Sequence, residues 1–305
     1  MPVKAFGVDL VTFFHPGFWG VGTEDDIQRI GLTDPDRIWA TVMDALVAAG
    51  VSAMEVTFAP ADVETAIRAF GSAAAFKAEL TRRGLRLASG FWQPADWDAP
   101  AGQLADEAAA HAAFLADAGA ATVVLGLPMR ATTDAPPPRF VDLRSAQLLA
   151  DRLHHIGAAT RRLGVTTALH TEAHSVFCQP RDIDLLLLLT DPNYVGFCPD
   201  SAHITLSGGD PVAISTRHRE RIASAHWKDA AGPMSTDIVI DASIHERHRK
   251  FMRPLGSGTV DWPAWAELMG STRGGDLALL ELDACANPVA ELRAAIAYLG
   301  TLGVA

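Results

Sequence analysis

The sequence has only three cysteines, and they are not arranged for disulfide pairing. They are Cys178, Cys198 and Cys285 in a chain of 305 residues, with no closely spaced pair. Small secreted domains that depend on disulfides carry a denser, even set of cysteines. The cysteine content therefore argues against a disulfide framework and indicates a reducing compartment, so we expect a cytoplasmic protein.

Clusters of positive charge are also missing. Lysine and arginine number 25 against 36 aspartates and glutamates, which gives a formal net charge of −11. Proteins that bind nucleic acids present a basic face to the phosphates. The acidic balance argues against a polyanionic partner, and we expect no nucleic-acid binding.

Long hydrophobic runs are absent as well, although 49% of the residues are hydrophobic. A helix that crosses a bilayer needs about 20 mostly apolar residues, and no segment meets that requirement. The first residues enter a strand pattern at once and lack the pattern of a signal peptide. We expect no membrane association, and the oligomeric state stays open, with a homo-oligomer as one alternative.

The hydrophobic residues instead form short apolar runs of strand length, most of them followed by a helical pattern. The predicted strands are Ala5–Val11, Val51–Phe58, Leu85–Phe91, Ala121–Leu127, Val165–Thr171, Tyr194–Cys198, Ile222–Trp227 and Leu277–Leu282. Alternating strands and helices predict parallel pairing. Eight such units predict a single α/β domain over residues 1–305, a (β/α)8 TIM barrel. A doubly wound open sheet is the alternative, and it is disfavoured because no GxGxxG turn follows the first strand.

The segments between the strands are predicted to contain long helices and long loops. One helix is predicted over Ala61–Arg83. The aromatic, proline- and glycine-rich stretch Phe13–Gly20 is predicted to form a loop over a pocket. Residues 128–138 and Lys228–Val260 are predicted to be two further loops.

Several aromatic and histidine residues have a structural and a functional interpretation. Tryptophans near predicted loops either pack in the core or offer flat faces to a sugar; they are Trp19, Trp92 and Trp97. Histidines on predicted helices or in the long loop are interpreted as surface residues; they are His111, His154, His155, His218, His245 and His248. Cys198 falls inside a strand and is predicted to lie in the core.

Four consecutive strands carry metal-capable or charged side chains at their C-terminal ends. These are His170 and Glu172 on the fifth strand, Asp200 and His203 on the sixth, His226 and Lys228 on the seventh, and Glu281 and Asp283 on the eighth. Side chains two apart on a strand point the same way. Because the chemistry of a barrel enzyme sits at the C-terminal strand ends, we expect these side chains to converge.

The mixture of imidazoles and carboxylates predicts a divalent metal site. The best set takes one residue from each of the four strands: Glu172, Asp200, His226 and Glu281. Carboxylates favour manganese, with magnesium, cobalt and zinc as alternatives. Each residue alone is more often structural, for example a hydrogen-bonded histidine or an aspartate that caps a turn. Four such strand ends in succession favour the metal site.

The same stretches resemble a known family. CPDSAHITLSGGDPVA, RIASAHWKDA, GSGTVDW and LLELD, with AGVSAMEV and LGVTTALHTE earlier in the chain, are similar to segments of the xylose-isomerase-like barrels. Within that superfamily, which contains sugar phosphate isomerases and epimerases, the resemblance is closest to inosose (2-keto-myo-inositol) dehydratases. The D-x-x-H of Asp200–His203 and the H-x-K-D of His226–Asp229 are fairly specific for the superfamily.

The resemblance implies a metal ion held by Asp200, His226 and Glu281. The fifth-strand ligand stays open between His170 and Glu172. Our hypothesis gives Glu172 to the metal, because a carboxylate offsets more of its charge, and makes His170 the catalytic base.

The implied reaction is elimination from a keto-cyclitol or keto-sugar through an enediolate. The ion would acidify the C–H beside the ketone, and His203 or Lys228 would protonate the leaving group. A ketose 3-epimerase or isomerase and a 3-keto-glycoside lyase, including one that cleaves C-glycosides, would use the same site and stay as alternatives. An apurinic endonuclease is disfavoured by the acidic charge, and a sugar-binding or subunit protein by four convergent ligands.

Overall fold

The computed structural model describes residues 3–130 and 141–304. Its strands are β1 (Ala5–Asp9), β2 (Ala53–Val56), β3 (Arg86–Trp92), β4 (Thr122–Leu125), β5 (Thr166–His170), β6 (Val195–Cys198), β7 (His226–Trp227), β8 (Asp229–Ala230), β9 (Met252–Arg253) and β10 (Leu277–Leu280). Most of the predicted loop at residues 128–138 lies outside the described residues.

Helices alternate with these strands along the chain. They are α1 (Pro16–Trp19), α2 (Glu24–Thr33), α3 (Pro35–Ala49), α4 (Val63–Phe70), α5 (Ala73–Arg82), α6 (Ala101–Ala118), α7 (Leu143–Arg161), α8 (Pro180–Leu189), α9 (Ser201–Leu206), α10 (Pro211–Arg217), α11 (Ile244–Arg249), α12 (Trp262–Gly270) and α13 (Pro288–Thr301). Short 3-10 helices lie at Leu10–Phe13 and Arg219–Arg221. In the described ranges, no helix is both long and apolar enough to cross a bilayer.

Eight parallel strands form the central sheet, in the order β6-β5-β4-β3-β2-β1-β10-β7. The two ends of this sheet meet through parallel bridges that join Phe197 to Ile222 and Asp200 to His226. The backbone amide of His226 also donates to the Pro199 carbonyl, at 3.0 Å, across the same seam. The sheet therefore closes on itself, and the predicted (β/α)8 barrel is confirmed.

Helix α3 shows how local sequence sets the helix boundaries around the barrel. The Asp34 carboxylate accepts a hydrogen bond from the amide of Arg37, and Pro35 occupies the first helical position, as is common at helix N-termini. Gly50 ends the helix with a φ of +82°, which favours glycine. Between these ends, Trp39 is fully buried and packs edge-on against Phe76, with ring centroids 4.9 Å apart.

The helix predicted over Ala61–Arg83 is wrong as a single element. The structure has two helices there, α4 and α5. Gly71 takes a left-handed φ of +75° after α4, and the Ser72 hydroxyl accepts from the amide of Ala75 at 3.2 Å to begin α5. A glycine followed by a capping serine ends one helix and starts the next, and this signal was present in the sequence.

The stretch Phe13–Gly20 is mostly a packed element and not a loop. It contains the end of a 3-10 helix and helix α1. Phe13 is fully buried, and the indole N–H of Trp19 donates to the Phe13 carbonyl at 2.7 Å. Of the three tryptophans considered as sugar platforms, Trp19 therefore belongs to the core.

The long loop predicted over Lys228–Val260 has regular structure organised by one carboxylate. It contains β8, α11 and β9, and β8 pairs antiparallel with β9. Asp229 Oδ2 accepts from the amides of Gly256 and Gly258 at 2.9 and 3.0 Å and from the Trp262 indole at 2.9 Å. A Cβ on Gly258 would lie 2.2 Å from Asp229 Oδ1. Asp229 thus ties this segment to the end of the barrel and does not face the cavity.

Candidate active site

A cavity of about 390 Å³ opens at the C-terminal end of the barrel strands. Its titratable lining residues are Asp9, His170, Glu172, His203, His226, Lys228, His245, His248, Arg249, Glu281 and Asp283. The aromatic side chains that line it are Phe14, Phe58 and Phe91. Trp92 instead lines an adjoining groove beside His111.

Four buried side chains, three of which line this cavity, direct ligand atoms at one another. These residues, which we call the first group, are His170, Asp200, His226 and Glu281, and their ligand atoms lie within 4.8 Å of one another. Asp200 Oδ2 is 3.6 Å from His170 Nε2 and 3.8 Å from His226 Nδ1. Glu281 Oε2 is 2.7 Å from His226 Nδ1.

The first group has the hydrogen-bonding pattern of a cation site. None of the four atoms His170 Nε2, Asp200 Oδ2, His226 Nδ1 and Glu281 Oε2 has an aligned hydrogen-bond partner within the described residues. Buried polar atoms without partners cost free energy. A cation between them would satisfy all four atoms at once.

Asp200 acts as a helix cap and contributes to the first group at the same time. Its Oδ1 accepts a hydrogen bond from the backbone amide of His203 at 2.8 Å and begins α9. Its Oδ2 is the oxygen that faces His170 and His226. The capping and metal-binding interpretations of this residue are therefore compatible.

The tautomer of His226 is set by residues that the sequence analysis did not single out. Glu55 Oε1 accepts from His226 Nε2 at 2.9 Å, and the Ser89 hydroxyl donates to the other Glu55 oxygen. With Nε2 bound to Glu55, Nδ1 points into the first group, an orientation typical of metal-binding histidines.

Asp9 lies beside Glu55 and was also missed. Burial raises the pKa of Asp9 well above its usual value, and the carboxylates of Glu281 and Glu55 raise it further. Asp9 ends β1, and Glu55 sits inside the apolar run of β2. A single charged residue within or at the end of a buried strand was the available sequence signal.

Lys228 lies next to the first group in a cluster of buried charges. Its Nζ is 2.6 Å from Glu281 Oε1, 2.8 Å from Asp283 Oδ1 and 3.1 Å from His203 Nε2. Burial lowers the pKa of Lys228, but Asp283 and Glu281 raise it well above its usual value. Burial lowers the pKa of His203 to about 3. The lysine is thus an ammonium group beside a neutral imidazole.

Asp283 reaches this cluster through an uncommon backbone conformation. Its φ is +36° and that of Ala284 is +49°, a region that non-glycine residues seldom occupy. Burial raises the pKa of Asp283 to about 6, although Lys228 opposes the shift. Such backbone outliers concentrate at functional sites.

The structure does not bring Glu172 into the first group. Strand β5 ends at His170, so the alternation that would align the two side chains stops before Glu172. Glu172 Oε1 instead lies 3.4 Å from His203 Nδ1 and 3.2 Å from His248 Nδ1. The surface interpretation of His248 is wrong, since its side chain is only 1% exposed. His245 Nδ1 also lies 3.7 Å from this oxygen, with 61% of its side chain exposed.

The closed barrel and the ligand-type residues at its strand ends agree with a comparison of the sequence with known protein families. Residues 43–302 match the xylose isomerase-like TIM barrel family, and the chain belongs to it. The resemblance stated from the sequence is thereby confirmed at the family level.

Several relatives within this family can be named. The rhizopine catabolism protein MocC of Rhizobium meliloti is 30% identical over 212 residues, covering 65% of this chain and 63% of MocC. The chain thus spans less than two thirds of that relative's length. An inosose dehydratase of Lacticaseibacillus casei is 26% identical over 267 residues, covering 82% and 83% of the two chains. The crystal structure of IolI with a zinc atom aligns with a TM-score of 0.67 at 11% identity, covering 99% of this chain and 97% of IolI.

Proposed function

We propose that this protein is a divalent-metal-dependent lyase that removes water from a keto-cyclitol or keto-sugar. The observation that carries the proposal is the first group of buried, unpaired ligand atoms with the Lys228 ammonium directly beside it. The similarity to an inosose dehydratase and the zinc atom in IolI support it.

The first group fits a divalent ion. Ligand atoms at about 2.0–2.2 Å from an ion lie roughly 3.0–3.5 Å from one another. Three separations in the first group are 2.7, 3.6 and 3.8 Å, and all the ligand atoms lie within 4.8 Å of one another. Two imidazoles and two carboxylates suit manganese, cobalt or zinc. A divalent ion there would act as a Lewis acid on the substrate ketone. In this assignment His170, and not Glu172, is the ligand from β5.

Lys228 and Asp283 are the acid and base of the proposed reaction. Lys228 keeps its proton because Glu281 and Asp283 surround it, so it can protonate a departing hydroxyl. Asp283 contacts Lys228 through Oδ1 and lines the cavity, so its other oxygen is available to take the proton beside the ketone. His203 fixes the position of Lys228 through its Nε2.

The cavity suits a small polyhydroxylated ring. Its volume of about 390 Å³ lies in the range of small-molecule sites. Phe14, Phe58 and Phe91 offer apolar faces to ring C–H groups, while Gln28 and Gln93 offer neutral hydrogen-bonding groups. These apolar faces and neutral groups suit a cyclitol or sugar ring as the substrate.

Proton NMR in deuterated water with a panel of keto-inositols and keto-glycosides tests the reaction. The manganese-loaded protein should form an elimination product from at least one of them. Lys228→Met should still exchange the proton beside the ketone but eliminate about 10²–10⁴-fold more slowly. Asp283→Asn should do neither, and both variants should retain manganese.

Lys250→Met and Asp237→Asn are matched controls, because both residues are exposed. They should leave the rate unchanged. An epimer or isomer as the product would replace the lyase with the alternative activity. Normal proton exchange by Asp283→Asn would remove Asp283 from the role of base.

A further inference from the structure

A second group of ligand-type residues lies in the cavity wall. It consists of Glu172, His245 and His248, whose ligand atoms all lie within 4.8 Å of one another. His245 and His248 are three residues apart on α11, so their side chains project from the same face. Both rings direct Nδ1 at Glu172 Oε1, at 3.7 and 3.2 Å.

The tautomer of His248 follows from a chain of contacts behind it. His174 Nε2 lies 3.1 Å from the Ser235 carbonyl, which can only accept, so His174 carries its proton on Nε2. His174 Nδ1 therefore accepts from His248 Nε2, 3.0 Å away. With Nε2 turned to His174, the Nδ1 atom of His248 is directed at Glu172.

This arrangement leaves two buried polar atoms facing each other. Glu172 Oε1 and His248 Nδ1 are buried and have no aligned hydrogen-bond partner among the residues described. A buried carboxylate oxygen and a buried imidazole nitrogen 3.2 Å apart need a cation between them, either a proton or a metal ion.

We propose that Glu172, His245 and His248 form a second divalent-cation site, separate from the first group. Two imidazoles and one carboxylate are a zinc-type ligand set that leaves a position open for water or a substrate oxygen. His174 and Ser235 supply the outer contacts that orient a metal-binding histidine. Lys228 and His203 lie between the two groups. The site does not depend on which reaction the first group supports.

Zinc stoichiometry after equilibrium dialysis of the untagged, chelator-treated protein tests the site. The wild-type chain should bind two equivalents. The His245 side chain is 61% exposed, so its loss should leave the fold intact. His245→Ala should lower the affinity for one zinc equivalent at least ten-fold. His245→Ala combined with His248→Gln should remove it. His155→Ala, an exposed histidine on α7, should still bind two.

Comparison with His226→Ala separates this proposal from the proposed function. That variant should lose the other equivalent and keep the one that depends on His245. Equal zinc stoichiometry in the wild type and the folded His245/His248 double variant would overturn the second site, and a proton would then hold Glu172 and His248 together. Full retention of zinc by His226→Ala would instead contradict the metal site in the first group and leave the second site untouched.

Discussion

At the scale of residues, His170 and Glu172 show how a small difference in backbone changes the assignment of roles. The two are separated by one residue, but β5 ends at His170. His170 faces Asp200 at 3.6 Å, while Glu172 faces His248 at 3.2 Å. The sequence places both at the barrel mouth but does not show where the strand alternation stops.

This difference predicts distinct metal-binding defects. His226→Ala should remove one bound metal equivalent. His170→Ala should lower the affinity for that same equivalent by about 10–100-fold or more, because a ligand is lost. Glu172→Gln should leave the affinity for that equivalent within about two-fold. Competition titration with a fluorescent chelator measures both affinities. If Glu172→Gln loses this equivalent and His170→Ala keeps it, Glu172 is the ligand that we first expected from the sequence.

Sequence reasoning found some of the candidate site and missed other parts for a physical reason. Asp200, His226 and Glu281 follow apolar strand runs, and the structure gathers all three. His245 and His248 lie on α11, far from any barrel strand in sequence, and reach Glu172 only through the packing of that segment over the cavity. Such contacts between distant segments leave no local pattern.

At the scale of elements, helix α6 contains a histidine that the sequence suggested would lie on the surface. His111 instead packs towards β3, where a Cβ on Gly90 would lie 3.0 Å from its Nε2. Burial lowers the pKa of His111 to about 4. The native state therefore disfavours protonation of a group that titrates near 6.5 in the unfolded chain.

The stability of the protein should consequently depend on His111 in mild acid. Because the folded pKa is depressed, the contribution is fully present above about pH 6.5 and is lost as the pH falls towards 4. Between pH 7 and 4.5 it amounts to about 2–3 kcal/mol. Urea unfolding should show that His111→Gln loses less stability over this range than the wild type.

The exposed His155 provides the control on α7. His155→Gln should follow the wild-type pH dependence. An identical pH dependence for His111→Gln and wild type would show that His111 is not the group that resists protonation.

Element boundaries were predictable where capping residues and apolar periodicity agree, as in α3. The break between α4 and α5 was missed because the helical pattern continues across Gly71 and Ser72. The structure of the segment after Lys228 was missed because Asp229 organises it through backbone amides of Gly256 and Gly258. Polar contacts of that kind have no periodic signal.

At the scale of the whole molecule, the alternation of strands and helices was enough to predict the barrel. The order of the strands around the ring follows from parallel pairing of successive units. The first barrel strand also pairs with the last, Ala5 of β1 with Leu277 of β10. The count of units implied this long-range pairing, and no local feature did.

The overall charge predicts weak interaction with nucleic acids. A net charge of −11 repels phosphates, and binding to DNA requires positive side chains that release counterions. Duplex DNA should therefore keep its mobility in a gel-shift experiment at physiological ionic strength with micromolar protein. A shift that weakens with added salt would contradict this expectation.

The seam between β6 and β7 also has a consequence for motion. Two isolated bridges join the ends of the described sheet there, at Phe197–Ile222 and Asp200–His226, whereas four residue pairs join β5 to β6, so few ladder hydrogen bonds hold the ring at this point. Local openings begin where few hydrogen bonds must break. Asp200 and His226 lie on opposite sides of the seam, and an ion held by both would cross-link the two ends of the sheet. Amide hydrogen exchange along β6 and β7 would then slow when the ion binds. Binding of the ion and local opening of the barrel would thus be thermodynamically linked.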